Sequence, residues 1–274
     1  MRTVYVIGIG AGDPDHVTAQ AVAAMNRVQV FLTVDKGPDK DDLAALRTGL
    51  LARHVTGPHR VVQVPDPRRE RVPGTAAEAD YTAAVDDWQA RREALYQAAI
   101  RDELAGDGVG GFLVWGDPAL YDGTLHILDR IRARSADPGA DPAGVEFDVI
   151  SVPGISAVQV LAAAHGVALT RTGRPVTVTT GRRLAADGVP AGVDDVVVML
   201  DGQTAFATLP DADLDIYWGA YLGTPDQVLV HGDLQRVKEQ IVALRAERRA
   251  AKGWIMDTYL LRRRTASAPA QRLT

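Results

Sequence analysis

Three short stretches carry residues whose type and spacing suit chemistry, and each follows directly on an apolar run. They are Gly8-Ile9-Gly10-Ala11-Gly12-Asp13-Pro14, Trp115-Gly116-Asp117-Pro118 and Val152-Pro153-Gly154-Ile155-Ser156. Loops of Gly and Pro at strand ends converge over the carboxyl edge of an open parallel sheet, where such sheets bind their ligands. The glycine run invites a dinucleotide reading, with Asp35 at the end of the second strand as the ribose-binding acid. In detail the third glycine falls one place early and the sixth position is Asp13. A carboxylate beside the turn repels a pyrophosphate that needs the helix N-terminus, and Asp117 repeats the objection. Both loops suit a ligand with hydroxyls and an ammonium or sulfonium group. The competing reading is that Asp13 and Asp117 cap the helices that follow, ahead of proline.

The composition removes other chemistries. A chain of 274 residues without cysteine has no disulfide, thiolate nucleophile or iron–sulfur cluster, which fits a reducing cytoplasm. Histidines at 16, 54, 59, 126, 165 and 231 show no metal-ligand spacing, so no metal is expected. A net charge of −5 disfavours nucleic acid. The apolar runs, such as Val4 to Ile9 and Val196 to Leu200, are far shorter than the ~20 residues that span a bilayer, so no membrane span is expected. Basic residues are lopsided, 26 arginines against four lysines, which is either compositional bias or a means of clamping carboxylates.

The elements that must position these loops follow from periodicity. Apolar strand runs at 3–10, 28–34, 60–64, 112–115 and 145–152 alternate with helical patterns at 18–27, 41–53, 81–104 and 124–134, the signature of a mostly parallel sheet flanked by helices. Pro65 to Thr75 and Ser135 to Gly144 read as loops. After Pro153 the pattern changes to one helix near 156–165 and short strands at 176–180, 195–200, 214–218 and 227–231, with little helix between them. A helix from Leu234 to Lys252 then precedes a closing strand, Trp254 to Leu261. The fold class is α/β in two domains. An N-terminal domain of 1–153, its boundary somewhere in 118–155, precedes a C-terminal mixed-sheet domain of 154–263 and a flexible tail of 264–274.

Taken together, the three loops resemble the ordered motifs of the tetrapyrrole methylase family, and the resemblance runs from Val4 to about Arg263. Within it, 113–122, 197–202, 216–223 and 253–263 resemble one branch. The family implies S-adenosyl-L-methionine as co-substrate, a small-molecule tetrapyrrole substrate and a homodimer. The branch implies methylation at carbon 1 of precorrin-5, with loss of the acetyl group as acetate, to give precorrin-6A. Alternatives are methylation of another precorrin or uroporphyrinogen position, an NAD-dependent oxidoreductase, or a cofactor sensor without turnover.

The resemblance also implies site residues. Gly10, Ala11, Gly12, Asp13, Trp115, Gly116 and Asp117 would lie along the methionine and ribose portions of the cofactor. Leu120 and Tyr121 would sit beside the sulfonium, with Ser156, Ala157, Met199, Leu200, Gly223 and Thr224 around the nucleoside. Asp35, Tyr121 and Asp122 are the catalytic candidates; for Asp122 and Tyr121 the competing readings are helix capping and lid packing. Relatives usually have proline at the place of Ala11 and Gly-Gly-Asp in place of Trp115-Gly116-Asp117. The spacing to Asp35 is one residue longer than theirs, and Arg68, Arg69 and Arg71 stand where some relatives carry a proton-donating lysine, which leaves the general acid open. Together with Arg171, Arg174, Arg182 and Arg183, these arginines are candidates for binding substrate carboxylates.

Overall fold

The computed structural model describes residues 1–35, 41–67, 78–136, 144–210 and 213–264, without the side chains of 35, 41, 42, 78–82 and 85. Arg68, Arg69, Arg71, most of the two loops at 65–75 and 135–144, and the tail from 265 lie outside the described residues. The chain divides into two compact units, Met1–Ser156 and Ala157–Thr274.

In the first unit five strands form a wholly parallel sheet: β1 (Arg2–Gly8), β2 (Val30–Asp35), β3 (Arg60–Pro65), β4 (Val109–Val114) and β5 (Phe147–Val152), in the order β3-β2-β4-β1-β5. Strands buried on both faces read as continuous apolar runs, and in β1 Val4, Val6 and Ile7 are completely buried. One face packs on α1 (Ala19–Met25) and α2 (Asp41–His54) through Met25, Leu50, Leu51, Phe31 and Ile7. The opposite face packs on α3 (Glu78–Glu103) and α4 (Thr124–Ser135) through Tyr96, Ile100, Ile127 and Ile131. The strand order has one reversal. From β1 the chain crosses to β2 on the far side of β4, and from β4 it crosses to β5 on the far side of β1. Beyond the carboxyl ends of β1 and β4 there is therefore a crevice, the place where open α/β sheets bind ligands.

The second unit holds α5 (Ala157–His165), β6 (Val176–Thr180), α6 (Gly181–Asp187), β7 (Asp195–Met199), β8 (Leu214–Ala220), β9 (Val228–Asp233), α7 (Leu234–Lys252) and β10 (Asp257–Arg263). Its sheet order is β6-β7-β10-β8-β9, with β6 and β7 parallel and the remaining pairs antiparallel. Two sequence expectations need correction. A helix, α6, occupies a connection read as having little, because Thr180 caps it and Gly181 packs against Asp201. The last strand starts at Asp257 rather than Trp254, since Trp254 turns its ring against Tyr221, with centroids 5.1 Å apart.

Candidate active site

On the first unit the three glycine loops meet backbone to backbone. Strands β1 and β4 are parallel, yet their continuations curl toward each other. Gly116 N–H donates to Gly10 O at 2.8 Å and Gly10 N–H to Gly116 O at 3.4 Å, an isolated antiparallel bridge. The third loop packs into the same knot: a Cβ on Gly154 would lie 2.1 Å from Gly116 O, and one on Gly8 would lie 2.6 Å from Gly154 N. Only hydrogen fits at these approaches.

Of the two loop carboxylates, Asp117 ties this knot and Asp13 caps its own turn. Asp117 accepts from Ala119 N–H through Oδ1 at 2.8 Å and from Gly154 N–H through Oδ2 at 2.9 Å, so it caps its own turn and ties the β4 loop to the β5 loop. Asp13 accepts from Asp15 N–H at 2.8 Å, capping the single 3-10 turn Pro14–His16. Ala11, Trp115 and Leu120 are half-buried beside them, and Gly12 and Ser156 are buried.

Past Gly116 the chain enters an unusual conformation. Tyr121 has φ +53° and is 46% exposed, while Asp122 accepts from Thr124 N–H at 2.8 Å at the mouth of α4. The capping reading of Asp122 thus has its hydrogen bond, and Tyr121 is nearly half exposed. Asp35 ends β2 opposite Pro65; its side chain lies outside the described residues.

On the second unit the candidates also sit at strand ends. Met199 ends β7 and is followed by Leu200, which has φ +53° and is 65% exposed. A bulky residue in the left-handed region costs of order 1–3 kcal/mol and persists only where its surroundings over-determine it. Here Asp201 supplies that constraint: it accepts from Gln203 N–H at 3.0 Å, Ala205 N–H at 2.7 Å and the Tyr259 hydroxyl at 2.7 Å. Arg245 donates to Asp201 O at 2.5 Å and to Asp257 at 3.0 Å, and the Trp218 indole N–H also reaches Asp257 at 3.0 Å. Burial raises the Asp257 carboxyl above its ordinary range. It also raises the Tyr259 hydroxyl, with the Asp201 charge adding to the effect.

Gly223, at φ +75°, donates to the Gln227 side chain at 2.9 Å, and the Thr224 hydroxyl donates to Tyr221 O at 2.8 Å. Tyr221, buried at φ +51°, anchors this loop through a hydroxyl bond to Trp254 O at 2.7 Å. Ala157 opens α5.

Of the arginines read as carboxylate binders, Arg171 is engaged within the fold, its Nε 3.2 Å from buried Asp195. Arg174 and Arg183 pair with Asp194 and Asp187 at 3.8 and 3.5 Å, and Arg182 is exposed.

The sequence reading missed a polar cluster on the first unit. Asp66 directly follows β3, and its Oδ1 lies 3.3 Å from Arg92 Nε; Arg92 also donates to the Tyr96 hydroxyl and stacks over the Trp88 ring at 4.7 Å. Burial pushes the Tyr96 phenol up to about 12. From α2, Arg47 places its guanidinium over the Trp115 ring, 5.2 Å from the centroid, and it feels the charge of Asp122. The available signal was positional: Asp66 follows an apolar run as Asp35 does. Arg47, in mid-helix, carried none.

Glycine loops at the reversal point of a parallel sheet, followed by a mixed sheet, define a class. Residues 3–238 match the family model described as Tetrapyrrole (Corrin/Porphyrin) Methylases, and the chain belongs to that family. It is 44% identical over 264 residues, 96% of each chain, to a Sinorhizobium protein named precorrin-6A synthase (deacetylating). It is also similar to the crystal structure of a cobalamin synthesis related protein, CobF, from Corynebacterium diphtheriae. That match has 38% identity and a TM-score of 0.79, and it covers 96% of this chain and 99% of the other. The uroporphyrin-III C-methyl transferase of Thermus thermophilus, solved with S-adenosylhomocysteine, shares the fold. It has 18% identity and a TM-score of 0.52, with 94% and 91% of the two chains covered.

Proposed function

We propose that this chain is an S-adenosylmethionine-dependent C-methyltransferase of corrinoid biosynthesis. It methylates carbon 1 of precorrin-5 with loss of the acetyl group as acetate, giving precorrin-6A. The observation that carries this reading is the 44% identity, spread over 96% of both chains, to a protein of that name.

The residues of the first unit suit the co-substrate. The Asp13 and Asp117 carboxylates stand where a pyrophosphate would be repelled and a cationic group is tolerated. The close approach of Gly8, Gly116 and Gly154 leaves backbone rather than bulky side chains at the loop junction. In this reading 10–13, 115–117, Leu120, Tyr121 and Ser156 hold it on the first unit. Bound there, S-adenosylmethionine supplies an electrophilic methyl group on a good leaving group. The protein's part is alignment, which is worth up to ~7–11 kcal/mol of barrier.

Deacetylation asks more of the side chains. Water adds to the acetyl carbonyl and gives its proton to a base. The ring-to-acetyl carbon–carbon bond then breaks, acetate leaves, and the electron pair stays on the ring carbon that takes the methyl group. Besides Asp13 and Asp117, whose oxygens take loop N–H groups, Asp35, Asp66 and Asp122 are carboxylates beyond strand ends on this edge, and Tyr121 adds a hydroxyl. The Tyr96 phenol, pushed up to about 12, stays protonated at neutral pH and so does not serve as the base. The transfer needs no metal.

The test is mass spectrometry of a reaction containing the protein, S-adenosylmethionine and enzymatically prepared precorrin-5. Acetate and S-adenosylhomocysteine released in equal amounts are the expected result. Methyl transfer without acetate moves the chain to another ring position, and no S-adenosylhomocysteine at all overturns the assignment.

A further inference from the structure

Among the described residues, Arg47 is a charge without a counter-ion. It projects from the middle of α2, its Nε is fully buried, and among the described residues that nitrogen has no hydrogen-bond partner. No carboxylate among the described residues comes within ion-pair distance of it. Its guanidinium instead lies over the Trp115 ring, and the buried Trp115 indole N–H, too, has no partner among the described residues. A buried guanidinium Nε beside an unanswered indole N–H is costly unless an acceptor arrives, since a buried donor left unmade costs about 1–3 kcal/mol. Desolvation lowers the Arg47 pKa, and the negative charge of Asp122 opposes that.

The location narrows the acceptor. Trp115 immediately precedes the Gly116 bridge to Gly10, at the crevice between β1 and β4. Arg47 stacks on Trp115, which directly follows the last residue of β4. Its head therefore stands over the sheet's carboxyl edge. A planar fork beside a ring N–H suits a planar, singly charged, two-oxygen acceptor.

We propose that Arg47, assisted by Trp115, is the carboxylate-binding residue of this crevice. The inference rests on the proposed function for the carboxylates available, which are the methionine carboxylate of the co-substrate and an acidic side arm of the tetrapyrrole. Arg47 is a binding residue here and takes no part in bond making.

Calorimetric titration of the full chain and of Arg47→Gln with three probes separates these sources. The probes are S-adenosylhomocysteine, 5′-methylthioadenosine, which is the same nucleoside thioether without the amino-acid carboxylate, and uroporphyrin III, a tetrapyrrole octacarboxylate. Loss of a charge-assisted hydrogen bond weakens binding about 10- to 100-fold. A loss of that size for S-adenosylhomocysteine but not for methylthioadenosine supports the proposal and identifies the co-substrate carboxylate. The same loss confined to uroporphyrin supports it and identifies the substrate arm. Arg47→Lys, which keeps the charge but not the fork, is expected to recover part of either loss. All three affinities within twofold of wild type, equal weakening of both nucleosides, or a wild type that binds none of the probes would each overturn the proposal. Because these titrations require no turnover, an inactive protein in the precorrin-5 assay would count against the catalytic reading while leaving the Arg47 result to be read on its own.

Discussion

Gly154→Ala tests the knot of loops most directly. The added methyl would stand 2.1 Å from Gly116 O and 2.8 Å from both Gly8 C and Gly8 Cα, all backbone atoms that no rotamer change can move aside. Relieving such a contact needs a displacement of roughly 1 Å, and forced overpacking of this kind costs about 1–3 kcal/mol. The displaced loop also strains the 2.9 Å bond from Gly154 N–H to Asp117, and hydrogen bonds to charged groups contribute about 1.5–3 kcal/mol. Against this, alanine restricts the unfolded chain by about 0.4–1 kcal/mol. The net expectation is a destabilisation of about 2–4 kcal/mol, with at least a tenfold weaker affinity for S-adenosylhomocysteine. Denaturant titration followed by circular dichroism measures the first and calorimetry the second. A Gly154→Ala protein within 0.5 kcal/mol of wild type, with unchanged cofactor affinity, would refute the argument that three backbones meet there.

Gly49 is the counter-case: it lies inside α2, and a methyl added there would meet nothing within 4 Å, so Gly49→Ala should stabilise by about 0.5–1 kcal/mol, read as a higher denaturation midpoint. Tyr259→Phe removes a buried hydroxyl bond to Asp201 and should cost about 1–3 kcal/mol while loosening the strained Leu200 turn, measured by denaturation and by hydrogen exchange at 200–205. Burial lowers the His165 pKa below the ordinary 6.5, so the fold favours the neutral ring. That contribution is fully present above pH 6.5 and is lost as pH falls through the lowered folded-state value. Melting temperature should therefore drop on acidification below pH 6.5, and His165→Gln should flatten that slope.

What was legible in the chain follows from how each signal is encoded. Strands such as β1, buried on both sides, announce themselves as unbroken apolar runs, and the loops that end them announce themselves through glycine. Positions fixed by tertiary contact left no trace. The seven residues of α6 are too few for a periodic stripe, and Gly181 is needed there because Asp201, far along the chain, occupies the space of a side chain. Strand β10 continues through Arg262 although charge usually ends a strand, because Asp195 on the neighbouring β7 receives its guanidinium at 2.6 Å. Arg47 belongs to the same class. Nothing in the local sequence of α2 separates it from a solvated helix arginine such as Arg53, and only the fold sets it over Trp115. The left-handed turns at Tyr121 and Leu200 were likewise hidden, since neither residue type favours that conformation.

The position of β1 inside its sheet bears on how the protein is made. Its ladder partners are β4 and β5 alone, so β1 leaves the ribosome with nothing to pair with until 109–114 and then 147–152 have followed it. At ~5–20 residues per second, roughly 150 residues take on the order of 7–30 s to emerge. Throughout that interval Val4, Val6 and Ile7, which the finished sheet hides completely, belong to an unshielded β-prone segment. Strand β1 thus has a claim on a chaperone while it waits, and slowing synthesis between β1 and β5 should lower the yield of native protein more than slowing it afterwards.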